Sequence, residues 1–290
     1  MSSARRRWIA ITIAVVVLAG VALLYITGPL GRTGPGCTVK LVDARAAASG
    51  GGSAVSDGPA VSDDSDEVTS FALSVEQADN AATIAAVGTR LGMPDHAVSV
   101  AIATALQESG LRNLSYGDRD SVGLFQQRPS QGWGRAEQIT DTVYASTAFY
   151  QRLRQQRNWQ RMEVTDAAQM VQRSAAPQAY AQWEPQARAI AAALTGEAEA
   201  SMSCHDLVLG TPASNVAALA GRELGTAALS GPQPPGRGRA LAAWLVAHSA
   251  RLSIDQVVYD GRTWTAESGE WEATGPPDGR LSLHIAPPPT

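Results

Sequence analysis

Asp95-His-Ala-Val-Ser-Val-Ala-Ile-Ala-Thr-Ala-Leu-Gln-Glu-Ser-Gly110 decides the fold. Gly92-Met-Pro-Asp95 breaks the chain before it and Asp95 can cap a new helix, which is predicted over about 95–109. Ala97, Val98, Val100, Ala101, Ile102, Ala103, Ala105 and Leu106 leave that helix no polar face. A helix apolar all round is a buried one at the centre of a helical domain. It closes on a carboxylate, Glu108, followed by Ser109 and Gly110.

The flanks support a helical domain. Ser74-Val-Glu-Gln77 is a capping box, and Ala78, Ala81, Ile84, Ala85 and Gly88 continue it at helical spacing. Residues 110–134 read as a long Gly-rich loop, and loops of that length inside a domain are usually functional. Helical periodicity returns at about 141–156, 165–173 and 178–194, the last closing at Thr195-Gly196. Residues 71–204 are therefore expected to form a nearly all-helical domain. Residues 207–290 read as a small α+β domain. Helices are expected over 215–225 and 238–252, and strands over 254–259, 262–265 and 281–285, with Asp260-Gly261 as a hairpin turn. The expected class is mainly α with this α+β addition.

Arg5-Arg6-Arg7 precedes residues 8–28, a run without a charge and long enough to cross a hydrocarbon core as a helix. Residues 1–7 then stay in the cytoplasm and the chain beyond residue 28 is exported, a single-pass protein of the cell membrane. A cleaved signal peptide is the alternative, although no small-residue cleavage site comes after the run. Residues 29–70 are Gly/Pro-rich, then Ala/Ser/Gly-rich, then acidic at Asp63-Asp64-Ser65-Asp66-Glu67, and read as a flexible tether. The two cysteines, Cys37 and Cys204, bracket the helical domain in the exported part. A disulfide between them is expected in an oxidising compartment, two unpaired thiols being the alternative.

Net charge is −4 and no basic stripe is present, which argues against a nucleic-acid partner. The four histidines, His96, His205, His248 and His284, show no metal-ligand spacing, and no phosphate-binding Gly-rich loop comes after a strand. No metal and no cofactor are expected.

Glu108 is left as the candidate for chemistry. A carboxyl among apolar neighbours at a helix C-terminus is disfavoured as an anion, by desolvation and by the helix dipole. Such a group can stay protonated near neutrality and act as a general acid. A solvated glutamate at a helix end is the plain alternative.

Ala105-Leu-Gln-Glu-Ser109 followed by Gly123-Leu-Phe-Gln-Gln-Arg-Pro129 resembles the goose-type lysozyme and soluble lytic transglycosylase superfamily, which carries Glu-Ser at a helix end and then Gly-Leu-Met-Gln. Gly117-Asp-Arg119 resembles the Gly-Asp-Arg of the goose-type loop, and Ala179-Tyr180-Ala181 the Tyr-containing segment that lines the transglycosylase cleft. The resemblance covers about 75–195. It implies a lysozyme-like fold, peptidoglycan as substrate and Glu108 as the general acid. It further implies that Ser109, Gln126, Gln127, Tyr180 and Asp118 bind or orient substrate. For Ser109 a helix cap, for Tyr180 core packing and for Asp118 a loop cap remain open alternatives.

Glycoside hydrolysis normally uses two carboxyl groups. The acid expected in that family just after Gly-Leu-x-Gln falls near Arg128 here and is missing. The resemblance then points to a lytic transglycosylase, in which one glutamate serves as acid and then base and yields a 1,6-anhydro sugar. An inverting muramidase with Asp118 positioning water is the alternative. A non-catalytic wall-binding or scaffolding protein with the same fold is a rival of another class, and service to a larger envelope machine is a third possibility. Residues 238–249, Val257–Trp264, Trp271 and Leu283-His284-Ile285 resemble a C-terminal domain of exported actinobacterial wall proteins related to zinc D-Ala-D-Ala peptidases. Only His284 of the zinc ligands is recognisable, so a metal-free remnant is expected.

Overall fold

The computed structural model describes residues 34–41, 69–173, 176–212 and 215–287. The expected membrane segment, 8–28, and most of the expected tether, 42–68, lie outside the described residues. Among the described residues no helix is long and apolar enough to cross a membrane.

Ser74 opens helix α1 (Val75–Arg90) with both arms of the capping box in place: Ser74 Oγ accepts from Gln77 N, and Gln77 Oε1 accepts from Ser74 N. Helix α2 (Asp95–Ser109) is the predicted central helix, and every residue from Ala97 to Leu106 is buried. Its polar members do not strand a donor in that environment, because Ser99 and Thr104 each donate back to the carbonyl four residues earlier. Short α3 (Ala136–Ile139), α4 (Thr142–Arg154), α5 (Val164–Gln172) and α6 (Glu184–Thr195) complete the helical part. Helix α2 packs against α1, α4, α5 and α6.

The helix expected over 178–194 is divided. Pro177–Trp183 is a 3-10 turn, and α6 begins only at Glu184. Pro185 accounts for the break, since proline fits the first turn of a helix and not its interior.

The structure corrects the mainly-α reading: helices are combined with two antiparallel sheets. Strands β1 (Gly36–Lys40), β2 (Ser70–Leu73) and β3 (Met202–His205) form a sheet of order β2-β1-β3 that gathers the two ends of the helical part. Residues 36–40 are thus a strand and not tether. They alternate partly buried and buried, with Cys37 and Val39 turned into the core. Cys37 faces Cys204 in the β1–β3 register and the two form a disulfide.

Beyond β3 come α7 (Val216–Glu223), β4 (Gly231–Pro232), α8 (Pro235–Ala247), short α9 (Ser249–Leu252), β5 (Ile254–Tyr259), β6 (Arg262–Thr265), β7 (Trp271–Ala273) and β8 (Arg280–Ile285), with a sheet of order β4-β8-β5-β6-β7. Strands β5, β6 and β8 lie where alternation placed them; β4 and β7 are too short to show a period. The core is continuous across the boundary suggested near 204–207, because α8 lays one side on α6 and α1 and the other on β3, β5 and β8.

A buried charged seam joins these parts. His248, fully buried after α8, has Nδ1 2.5 Å from Asp79 Oδ1 of α1 and Nε2 3.0 Å from Glu223 Oε2 of α7. Trp244 Nε1 and Thr83 Oγ1 donate to the two oxygens of Glu223, and Arg251 donates to Asp79. Burial alone would discharge the imidazole, but the two carboxylates outweigh it and His248 is pushed up to about 9. Asp79 is held below its ordinary value: burial opposes this, and His248 and Arg251 prevail.

Candidate active site

The last turn of α2 delivers Glu108 to the surface between the Gly-rich loop and the 3-10 turn. Gly110 ends the helix in the left-handed region (φ 63°), and Leu111 comes next at φ 59°. Two left-handed residues in succession turn the chain sharply away from the carboxylate. Helix α1 holds that turn: Gln77 Nε2 donates to the Gly110 carbonyl at 2.9 Å and Asn80 Nδ2 to that of Leu111 at 2.8 Å.

Tyr180, fully buried in the 3-10 turn, donates its phenolic hydrogen to Glu108 Oε1 at 2.7 Å. Gln172, the last residue of α5, donates through Nε2 to the Phe125 carbonyl at 2.7 Å. Desolvation by burial raises the Glu108 pKa, the polar groups of Tyr180 and Gln172 oppose the rise, and the net displacement is upward. Next to it, Gln107 Oε1 accepts from Trp183 Nε1 at 2.8 Å and from Gln182 at 3.2 Å, which fastens the 3-10 turn to α2.

The other residues singled out in the sequence lie in and around the loop. Ser109 is buried; its hydroxyl donates to the Leu124 carbonyl at 2.7 Å and accepts from Arg112 N at 3.2 Å. It ties the loop to the helix. Gln127 is buried too, with Nε2 on the Ala145 carbonyl and its backbone in a bridge with Val122. Gln126 is half-buried at φ 47°, and its amide donates to the Tyr116 and Gly123 carbonyls, folding the loop onto itself. Asp118 stands in solvent with its side chain 91% exposed, 3.9 Å from Arg119. Phe125 packs beneath the loop on Phe149, ring centroids 4.6 Å apart. Trp133 is buried with the Arg152 guanidinium over its face at 3.8 Å.

Gly123 is required by geometry. It sits at φ 79°, and a Cβ there would lie 2.7 Å from the Ile139 carbonyl oxygen. The loop is closed further on by Asp120, which accepts from Ser130 N at 2.7 Å and from Arg128 Nε at 2.8 Å. Those bonds, Ser130 N–H foremost, hold its carboxyl well below the usual carboxylate range.

Sequence reasoning missed Gln172 and the Asp120 staple. A signal for Gln172 existed. Val164, Ala168 and Val171 mark the buried stripe of α5, and Gln172 falls on the same stripe, a polar side chain where packing asks for an apolar one. Among the described residues no group of His, Cys, Asp or Glu is arranged to hold a metal ion. His284 pairs instead with Asp255 at 2.6 Å.

No protein-family model and no curated protein sequence matches the chain.

Proposed function

We propose that the protein cleaves the glycan strands of peptidoglycan as a lytic transglycosylase, with Glu108 first as general acid and then as base. One observation carries the reading: a glutamate raised by burial at the end of the central apolar helix, accepting a hydrogen bond from a buried tyrosine. A carboxyl kept protonated can give its proton to the glycosidic oxygen as the C1–O bond breaks. The carboxylate left behind can take the proton of the muramic acid 6-hydroxyl as O6 bonds to C1, closing the 1,6-anhydro ring. No water enters and the proton count balances.

The surroundings favour this over an inverting muramidase. A water-activating carboxylate must stand across the scissile bond from the acid. Asp120 is committed to Arg128 and Ser130, and Asp118 points into solvent beside Arg119. The resemblance of Glu108-Ser109 and Gly123–Gln126 to the transglycosylases supports the same reading. An anchor at residues 8–28 would place the site outside the membrane, facing the wall. The segment after His205 then acts as a metal-free supporting module.

The test is digestion of purified peptidoglycan by wild type and by Glu108→Gln, with products read by mass spectrometry. Anhydro-muramyl ends that disappear in the variant are the expected result. Reducing ends that disappear would make the protein a hydrolase and bring Asp118 forward. Wall binding without any cleavage would leave a binding or scaffolding module.

A further inference from the structure

We propose that the protein carries a second binding site, for a carboxylate borne on a small apolar group, such as the carboxyl-terminal alanine of a peptide. The site is a pocket at the connection from α6 to β3, where residues 198–202 meet α8 and the ends of β5, β6 and β7. It does not depend on the reading of Glu108.

Two unfavourable features stand side by side in the pocket wall. Ser201 is only 3% exposed, and its hydroxyl has no hydrogen-bond partner among the described residues. Folded proteins keep few buried polar groups unpaired, because each has lost its water without replacement. The residue before it, Ala200, stands at φ 49°, a left-handed conformation in which a Cβ crowds the following carbonyl. Pairing on either side fixes this stretch. The Ser201 carbonyl accepts from Lys40 N at 2.9 Å, and the Met202 carbonyl accepts from Trp271 Nε1 at 2.9 Å. An orphan hydroxyl next to a strained residue, both facing one concavity, is the pattern of a place shaped for a ligand.

The lining sets the ligand's chemistry. Arg239 of α8 supplies the charge. Its Nε donates to the Gly196 carbonyl at 2.7 Å, which anchors the guanidinium, and it has no acidic partner among the described residues. The N–H groups of its terminal nitrogens are left for a ligand. Arg262 is different: it is paired with Glu199 at 2.7 Å on the exposed rim, so that pair adds no net charge. The remaining lining is apolar and short. Ala198, Ala242 and Ala243 stand opposite the aromatic rings of Tyr259 and Trp271. The space is about 340 Å³ with its open mouth included, at the low end for small-molecule sites. One unpaired guanidinium, one spare hydroxyl donor and room for a methyl-sized body together fit a carboxylate on a small apolar group. An amine would meet the Arg239 charge with its own, and a neutral amide would forgo the charge-assisted bonds.

The experiment follows the pocket directly in the full chain. Protein labelled with nitrogen-15 is titrated with N-acetylalanine, and the indole N–H signals are read by NMR, the Trp271 signal being the one absent from Trp271→Phe. That signal is expected to move and to saturate. N-acetylalanine amide and ethylamine at the same concentrations should leave it in place. Arg239→Gln should weaken binding by about tenfold or more, and Ser201→Ala by about threefold to tenfold, the scale of hydrogen bonds to a charged group. Ser201→Ala also removes the orphan hydroxyl, so without ligand its denaturation midpoint should equal or exceed that of wild type; weaker binding there is then no sign of misfolding. Ala243→Leu fills the pocket and should abolish saturation while Arg239 stays. N-acetyl-alanyl-alanine distinguishes the sources of the ligand: binding at least as tight as N-acetylalanine supports a peptide terminus, and weaker binding supports a free small acid. A Trp271 signal that ignores N-acetylalanine overturns the proposal. So does one that answers equally to the amide, or a titration unchanged in both Arg239→Gln and Ser201→Ala.

Discussion

Tyr180 and Glu108, 72 residues apart, meet at 2.7 Å with the phenol donating to the carboxyl. The donor comes from a 3-10 turn and the acceptor from the end of an α-helix, and a Trp183–Gln107 bond, one residue before Glu108 and three after Tyr180, holds the two elements together. Tyr180→Phe removes the hydroxyl and little else. Without it the Glu108 pKa should climb further, so the alkaline limb of glycan cleavage should move upward while the rate at neutral pH falls by about 10–100-fold. A pH–rate profile identical to wild type would assign Tyr180 to packing alone.

The disulfide closes a long loop, with 167 residues separating its cysteines. The chain-entropy treatment assigns such a closure about 5 kcal/mol, an upper figure where the reduced chain keeps structure. Cys37→Ser, or reduction, should lower stability by about 2–5 kcal/mol in denaturant titration. Hydrogen exchange should then be fastest at β1, which holds its place between β2 and β3 by strand pairing once the bond is gone.

His248 should make the fold sensitive to alkali. Its imidazole is raised from 6.5 to about 9, so the stabilisation is complete below pH 6.5 and is lost as pH climbs through 9. The loss across that window is on the order of 3 kcal/mol, readable as a falling denaturation midpoint. Asp79, lowered from 3.8, acts in the other direction: its contribution holds above 3.8 and fades as pH falls through its depressed value. His248→Ala leaves Asp79 and Glu223 without their shared cation and should cost about 3–5 kcal/mol at neutral pH, with the alkaline slope removed.

The Asp120 staple should govern the loop and not the whole fold. Asp120→Ala frees Ser130 N and Arg128, so amide exchange over residues 120–130 should quicken while the global midpoint stays close to wild type. Global unfolding in step with the loop would show that the staple supports the core.

Gly123→Ala is the sharper perturbation of the same loop. A methyl group 2.7 Å from the Ile139 carbonyl oxygen, at φ 79°, has to displace either the loop or α3. A cost of about 1–3 kcal/mol is expected, read as a lower denaturation midpoint.

Local signals decided a good part of this protein before any tertiary contact was known. Periodicity without a polar face marked α2 as the buried centre, Ser74-Val-Glu-Gln77 marked the start of α1, and Asp260-Gly261 marked the β5–β6 hairpin; each rests on forces that act within a few residues. Glu108 was legible too, because burial and helix position are local consequences of the residues just before it. Tertiary structure alone decided the rest. Strands β1 to β3 are short and gain their stability by pairing across the whole helical part. Ser109 and Gln127 turned inward because backbone carbonyls of distant segments needed donors there. Tyr180 reaches Glu108 only because the 3-10 turn is fastened to α2. Hydrogen bonds between remote segments leave no period in the sequence, since their partners are brought together by the core and not by the chain.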